Sequence, residues 1–239
     1  MQVNEVIEQL KSRANPTPEN LKGMARYGIN TERALCISTP DIQKLGRQIG
    51  KDHGLALELW QAGWRESRIL AAMVDDPAQV TGKQMDSWVA DFDSWDVCDA
   101  TCLYLFSWTG LACEKALRWS ARKEEYVKRA GFTLMACLAV GKRKPGEERL
   151  AAFLPIIERE AWDGRNYVKK SVNWALRQVG KHNPSLNKLA VESAERIKLQ
   201  GTQSARWIAA DALRELTSEK TLSRLKKLYP KAVVKQTGP

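Results

Sequence analysis

The sequence predicts an all-α chain built as a solenoid of stacked two-helix repeats. Three observations carry this. The hydrophobic period is close to 3.6 residues almost everywhere. No run shows the strict alternation and β-branched richness of a strand. A pattern of a basic residue followed by small and bulky apolar residues recurs at spacings near 40 residues, about what two helices and their turns occupy.

The elements follow in order. "VNEVIEQLKSRA" opens the chain as an amphipathic helix, and "MARY" closes an early second one at Tyr27. "STPD", Ser38 to Asp41, offers a capping hydroxyl, a proline in the first turn and an early acid, so a helix begins there through "IQKLGRQIGK". "ALELWQAGW" and "SRILAAMVDD" continue the period, and a later helix starts at "SWDVCD" with Ser94 as its N-cap. "EERLAAFLPIIERE" and "TLSRLKKLY" are also amphipathic, and "NPSL" at Asn183 repeats the capping device. The breaks "GKRKPG" and "WDGRN" have the length of helix–helix connections. About a dozen helices result.

The recurrent helices are "ESRILAAMV", "VKRAGFTLMACL", "VKKSVNWALRQV" and "SARWIAADALREL". Aligning Arg129, Lys170 and Arg206 gives spacings of 41 and 36 residues, the range of HEAT-type repeats. Such units stack into a curved solenoid, and the recurrent basic residue would line a concave basic face. A plain helical bundle accounts for the periodicity nearly as well. The expected organisation is one helical-repeat domain over 1–239, with about 230–239 as a flexible tail.

Composition bounds the function. The chain of 239 residues carries a formal net charge of +10. From Val74 to Ala100, however, seven aspartates face one lysine, a local −6, so the remainder carries +16. A broad positive field around an acidic island is a footprint of polyanion binding with something special at the island. No run of about 18 apolar residues predicts a membrane span, and the N-terminus lacks an apolar signal core. Five cysteines at irregular spacing and two histidines suit reduced thiols in the cytoplasm and predict no metal site.

The island, "ADFDSWDVCDATC", holds Asp91, Asp93, Asp96 and Asp99 around Trp95. Asp91 and Asp93 fall at the end of one helix and its connection. Asp96 is a first-turn acid, favoured by the helix dipole. Trp95 and Asp99, four residues apart, share a face. In "VKKSVNWALRQVG", Lys170, Trp174 and Arg177 form a stripe at i, i+4 and i+7, away from Val172, Ala175, Leu176 and Val179. A tryptophan between cations suits stacking beside a phosphate, or a peripheral core position under basic stems. Arg129, in "YVKRAGF", can grip phosphate in a bidentate fork or pair with the acidic island.

The conjunction of "MARY", "STPDIQKL", "SWDVCD", "YVKRA" and "VKKSVNWALRQVGKHNP" resembles the bacterial DNA alkylation repair glycosylases with HEAT-like repeats, the AlkD family, from about Met24 to Leu228. The stretch "NTERALCIST" departs from the glycine-containing form of that family. The resemblance implies hydrolysis of the N-glycosidic bond of cationic N-alkylated purines such as 3-methyladenine and 7-methylguanine. It makes Asp99 the catalytic carboxylate, and Trp95, Trp174, Tyr27 and Arg129 the lesion and sugar contacts. Arg177 becomes a DNA-backbone contact. Lys170, Lys169, Lys128, Lys44 and Arg206 join it as candidates from the basic repeats. The implied partner is double-stranded DNA carrying alkylated purines. No cofactor or metal is implied, and the expected form is a cytoplasmic, nucleoid-associated monomer. Two other readings stay open: a non-catalytic DNA-binding relative, and a protein-interaction solenoid whose acidic island is a docking patch.

Overall fold

The computed structural model describes residues 1–141 and 145–230. Among them the secondary structure is helical, with no strand. Much of the break "GKRKPG" and, apart from Pro230, the predicted tail lie outside the described residues. The chain divides into two compact units, Met1–Leu111 and Ala112–Pro239.

The N-terminal unit holds α1 (Val3–Lys11), α2 (Pro18–Arg26), α3 (Thr39–Ile49), α4 (His53–Gln61), α5 (Arg65–Val74), α6 (Gly82–Ala90) and α7 (Trp95–Tyr104), followed by a 3-10 turn at Phe106–Trp108. α5 is central: it packs against α3, α4 and α7 and touches α1. The core is aromatic. Trp60 of α4 stacks on Trp88 of α6 with ring centroids 4.0 Å apart and planes 6° from parallel. Phe92 and Phe106 tilt against this pair at 6.1 and 6.3 Å.

The C-terminal unit holds α8 (Ala112–Ser120), α9 (Glu125–Val140), α10 (Glu147–Ala151), α11 (Leu154–Glu160), α12 (Asn166–Gly180), α13 (Pro184–Leu199), α14 (Gln203–Leu216) and α15 (Glu219–Leu228). α9, α12 and α14 form a ladder in which each packs on the next. α8 backs α9, while α11 and α13 back α12. This is the two-layer packing that repeats near 40 residues predict. α9 is buried without a break from Val127 to Ala139, because helices lie on several of its sides. α12 shows the amphipathic pattern instead: Val172, Ala175, Leu176 and Val179 are fully buried.

Local chemistry explains the helix starts. Thr17, Ser38, Asp52, Thr81, Asn183, Thr202 and Ser218 each accept a hydrogen bond from the backbone N–H three residues on. Each such cap contributes about 1 kcal/mol. Ser94 differs from expectation. It occupies the N-cap position of α7, but its side chain makes no capping bond. Its hydroxyl donates instead to Asp96 Oδ1 at 2.6 Å, and that oxygen accepts the Val97 N–H at 2.9 Å. The carboxylate is the stronger acceptor and takes over the cap.

The repeat register also shifts. Buried positions pair Val168 with Ala205, Ser171 with Ile208, Val172 with Ala209, Ala175 with Ala212 and Val179 with Leu216, an offset of 37 residues. Trp207, not Arg206, is therefore the counterpart of Lys170. Sequence alignment on the basic residue misses this because α12 offers two adjacent lysines, Lys169 and Lys170, to match Arg206 at the start of α14, while burial depends on helix phase.

Candidate functional site

The acidic island resolves into separate parts. Asp91 Oδ2 accepts the buried Trp60 indole N–H at 2.8 Å. Asp93 Oδ2 accepts the Asn30 amide at 2.9 Å and lies 3.9 Å from Arg68 Nη1. Asp96, besides capping α7, receives Arg65 Nε at 2.5 Å. These three carboxylates hold structure together, as their places at helix ends suggest.

Arg65 is the centre of a clasp. Its Nη1 donates to Glu66 Oε1 at 2.8 Å. Glu66 is fully buried and accepts the backbone N–H groups of Leu35 and Ile37 at 2.8 and 3.3 Å. Burial works against the Arg65 charge, but Asp96 and then Glu66 outweigh it, and the guanidinium pKa is raised. The clasp ties the 30–37 loop to α5 and to the first turn of α7. Arg68, expected to line a basic face, turns inward: its guanidinium lies 5.4 Å from the Trp60 ring centroid and donates to the Asp91 carbonyl.

Asp99 lies one turn beyond Trp95 on α7, and both are half-buried. The Trp95 indole N–H donates to the Tyr27 backbone carbonyl at 2.9 Å. Tyr27, at the C-cap of α2, is 70% exposed, so its ring stands open to solvent. The N-terminal unit thus gathers three predicted site residues, Tyr27, Trp95 and Asp99, into one patch. Lys44 is exposed elsewhere in this unit, on α3.

In the C-terminal unit, Trp174 is half-buried on α12, with exposed Lys170 one turn before it. Arg129 of α9 is largely buried, and its Nη1 donates to the Tyr167 carbonyl at 2.7 Å, linking α9 to the start of α12. The rings of Tyr126 and Tyr167 stack 5.8 Å apart beside that link. Arg177 pairs with Glu215 at 2.6 Å and Asp211 at 3.5 Å while keeping part of its surface open. Lys181 also binds Glu215, and Asn173 and Arg214 bind Asp211. Arg206 is exposed, donating to the Gly201 carbonyl.

Lys128 is a correction. The sequence assigns it to phosphate, but its side chain is 5% exposed, with Nζ 2.6 Å from Glu160 and 3.0 Å from Asp163. Burial pushes the Asp163 carboxyl up, but hydrogen bonds from Arg165 and Lys128 outweigh this and hold its pKa at about 2. An ammonium held between two carboxylates under that much cover is not presented to a phosphate.

The sequence reading missed Trp207. It is 41% exposed on α14, with Lys169 Nζ 4.9 Å from its ring centroid. The signal was present: "RW" in "SARWIAAD" puts the tryptophan, not the arginine, at the repeat position once buried residues set the register.

No described helix is long and apolar enough to cross a membrane. A sequence model of the family described as DNA alkylation repair enzyme matches residues 6–216. None of the curated proteins matches the chain. Among solved structures, similarity extends to a member of a new family of proteins related to the HEAT-like repeat DNA glycosylases, with affinity for branched DNA structures. The TM-score is 0.74 over 90% of this chain and 96% of that one, at 19% identity, which speaks to the fold.

Proposed function

Because the chain belongs to the DNA alkylation repair enzyme family, we propose that it is a DNA glycosylase releasing cationic N-alkylated purines from double-stranded DNA, with Asp99 as its catalytic carboxylate. The observation that carries the assignment is the patch around Asp99 in the N-terminal unit. Asp99 shares a helix face with Trp95, whose indole N–H is bonded to the backbone carbonyl of the exposed Tyr27.

The chemistry suits a carboxylate with aromatic neighbours. An alkylated purine such as 7-methylguanine or 3-methyladenine is already cationic, so it departs as a neutral base when the C1′–N bond breaks and takes the bonding electrons. Positive charge then develops on the deoxyribose. Water supplies the new C1′–O bond and releases a proton. A fixed carboxylate facing the sugar stabilises the oxocarbenium-like transition state, as in sugar hydrolases. At ~4 Å and an effective dielectric near 20 this amounts to ~4 kcal/mol. That is at most about a thousandfold in rate, since the cationic ground state is attracted as well. Asp99 can also orient the water. The family resemblance makes Tyr27, Trp95, Trp174 and Arg129 the lesion and sugar contacts, and the electron-rich face of an aromatic ring suits a developing positive charge. Lys44, Lys169, Lys170, Arg177 and Arg206 contact phosphates. The reaction runs without cofactor or metal in a monomer, and its substrate places it at the nucleoid in the cytoplasm.

A second reading, DNA binding without base release, draws on the branched-DNA affinity of the structurally similar family. One experiment separates the two: release of 7-methylguanine or 3-methyladenine from alkylated duplex by wild type and Asp99→Asn. The expected result is release by wild type, a loss of 100-fold to 1000-fold in the variant, and DNA affinity kept or tightened, because a negative charge facing DNA is gone. No release of any cationic base by wild type would leave the binding reading. Equal rates in both proteins would remove Asp99 from the mechanism.

A further inference from the structure

We infer that Trp207, with Lys169 over its ring, is a stacking platform for an unpaired nucleotide of the bound DNA, distinct from the contacts to the damaged nucleotide. The inference rests on the DNA-binding part of the proposed function and not on base release.

Four observations carry it. Trp207 is a large aromatic left 41% exposed on a well-packed helix, between buried Ala205 and buried Ile208. It projects from the opening turns of α14, whose N-terminus is capped by Thr202 and tied to the preceding turn by the hydrogen bond from Ser204 to the Asp163 carbonyl at 2.8 Å. The helix that carries the ring is therefore anchored at its start, and no backbone has to be ordered when something stacks on it. Its register counterpart is Lys170 on the neighbouring α12, so it belongs to the same row of the repeat as a proposed phosphate contact.

The local charge fits a nucleic acid. Lys169 Nζ sits 4.9 Å from the ring centroid, and Lys170 and Arg206 are exposed nearby in sequence and register. α12 contains no acidic residue, and the first on α14 is Asp211. Asp211 is already engaged by Asn173, Arg177 and Arg214. The first turns of α12 and α14 therefore present uncompensated positive charge around an aromatic surface. A cation on one side of the ring strengthens its attraction for a base bearing a phosphate.

The geometry selects an unpaired nucleotide. In an intact duplex the base faces are already stacked on one another, so a tryptophan ring standing on a helix surface meets only backbone. A base at a gap, a nick or a single-stranded end has a free π-face. Base–aromatic stacking is sequence-tolerant, so no base preference is expected.

The test compares wild type, Trp207→Ala and Trp207→Phe by fluorescence anisotropy on two lesion-free DNAs: an uninterrupted duplex, and the same duplex with a short internal gap. Wild type is expected to bind the gapped DNA about tenfold tighter. Trp207→Ala should erase that preference while leaving affinity for the intact duplex within about twofold; Trp207→Phe should keep most of it. With the wild-type protein alone, 2-aminopurine in the unpaired stretch should be quenched on binding. That readout stands even if the alanine variant fails to fold. No preference for gapped DNA, no quenching, or equal weakening on both DNAs by Trp207→Ala overturns the inference. Failure of wild type to bind either DNA would instead overturn the DNA-binding reading beneath it.

Discussion

Lys128→Met separates the two roles assigned to that lysine. Its Nζ lies 2.6 Å from Glu160 Oε2 and 3.0 Å from Asp163 Oδ2, with the three side chains 5, 11 and 3% exposed. Removing one partner of a buried ion pair typically costs 3–5 kcal/mol. Here the carboxylates keep other cations: Arg159 Nε is 2.6 Å from Glu160 Oε1, and Arg165 Nη2 is 2.6 Å from Asp163 Oδ2. Methionine also fills most of the space of the lysine stem. The expected loss is therefore about 2–3 kcal/mol, a fall in Tm of about 5–10 °C for a chain of this size. The effect must depend on pH. The Asp163 carboxyl is depressed from 3.8 to about 2 in the fold, so its contribution is present above pH 3.8 and is lost as pH falls through about 2. That contribution is at most ~2 kcal/mol. Arg165 is the larger cause of that depression and stays in the variant, so the gap between wild type and variant should narrow by only part of this contribution as pH falls from 4 to 2. Urea unfolding at several pH values measures the stability, and DNA binding against salt measures the charge. If Lys128 touched a phosphate, the variant would lower the slope of log K against log salt by about 0.9. An unchanged stability with that reduced slope would refute the buried-clasp reading.

Other outcomes follow from the same contacts. Arg65→Lys keeps the charge but cannot reach both Asp96 and Glu66 with the fork of a guanidinium; stability should fall by about 1–2 kcal/mol and base release by about tenfold, measured as single-turnover release at saturating enzyme. Unchanged release would mean that the clasp does not position the Trp95–Asp99 face. Gly131→Ala should cost about 3 kcal/mol in urea unfolding, because a Cβ there would lie 2.9 Å from the Ser120 Cα and the Trp119 carbonyl carbon, both main-chain atoms that cannot turn aside. Gly180→Ala should cost somewhat less, about 2 kcal/mol, because the leucine of its clash with Leu216 at 2.6 Å can rotate, although the Ala190 Cβ at 2.8 Å is fixed to its backbone. Equal losses at the two glycines would contradict this distinction.

The sequence by itself determined the helical class, the two-layer repeat of the C-terminal unit and the family. These follow from information written along the chain: apolar period, capping residues and short motifs in order. It also put Asp99 on the face of Trp95, because the two lie one turn apart on any helix that contains both. Where the side chains of Lys128, Arg68 and Trp207 lie was decided only by the tertiary structure. Lysine and arginine read as surface charge in a sequence. Whether they stay in water depends on acceptors and rings brought to them from elsewhere in the fold, the carboxylates of Glu160 and Asp163 for Lys128, and the Asp91 main-chain carbonyl and the Trp60 ring for Arg68. Trp207 carries the opposite case. Hydrophobicity predicts burial, but helix phase turns this ring outward under Lys169, since Ala205, Ile208 and Ala209 already fill the buried side. Periodicity is a local property of the chain. Pairing and exposure belong to the packed whole.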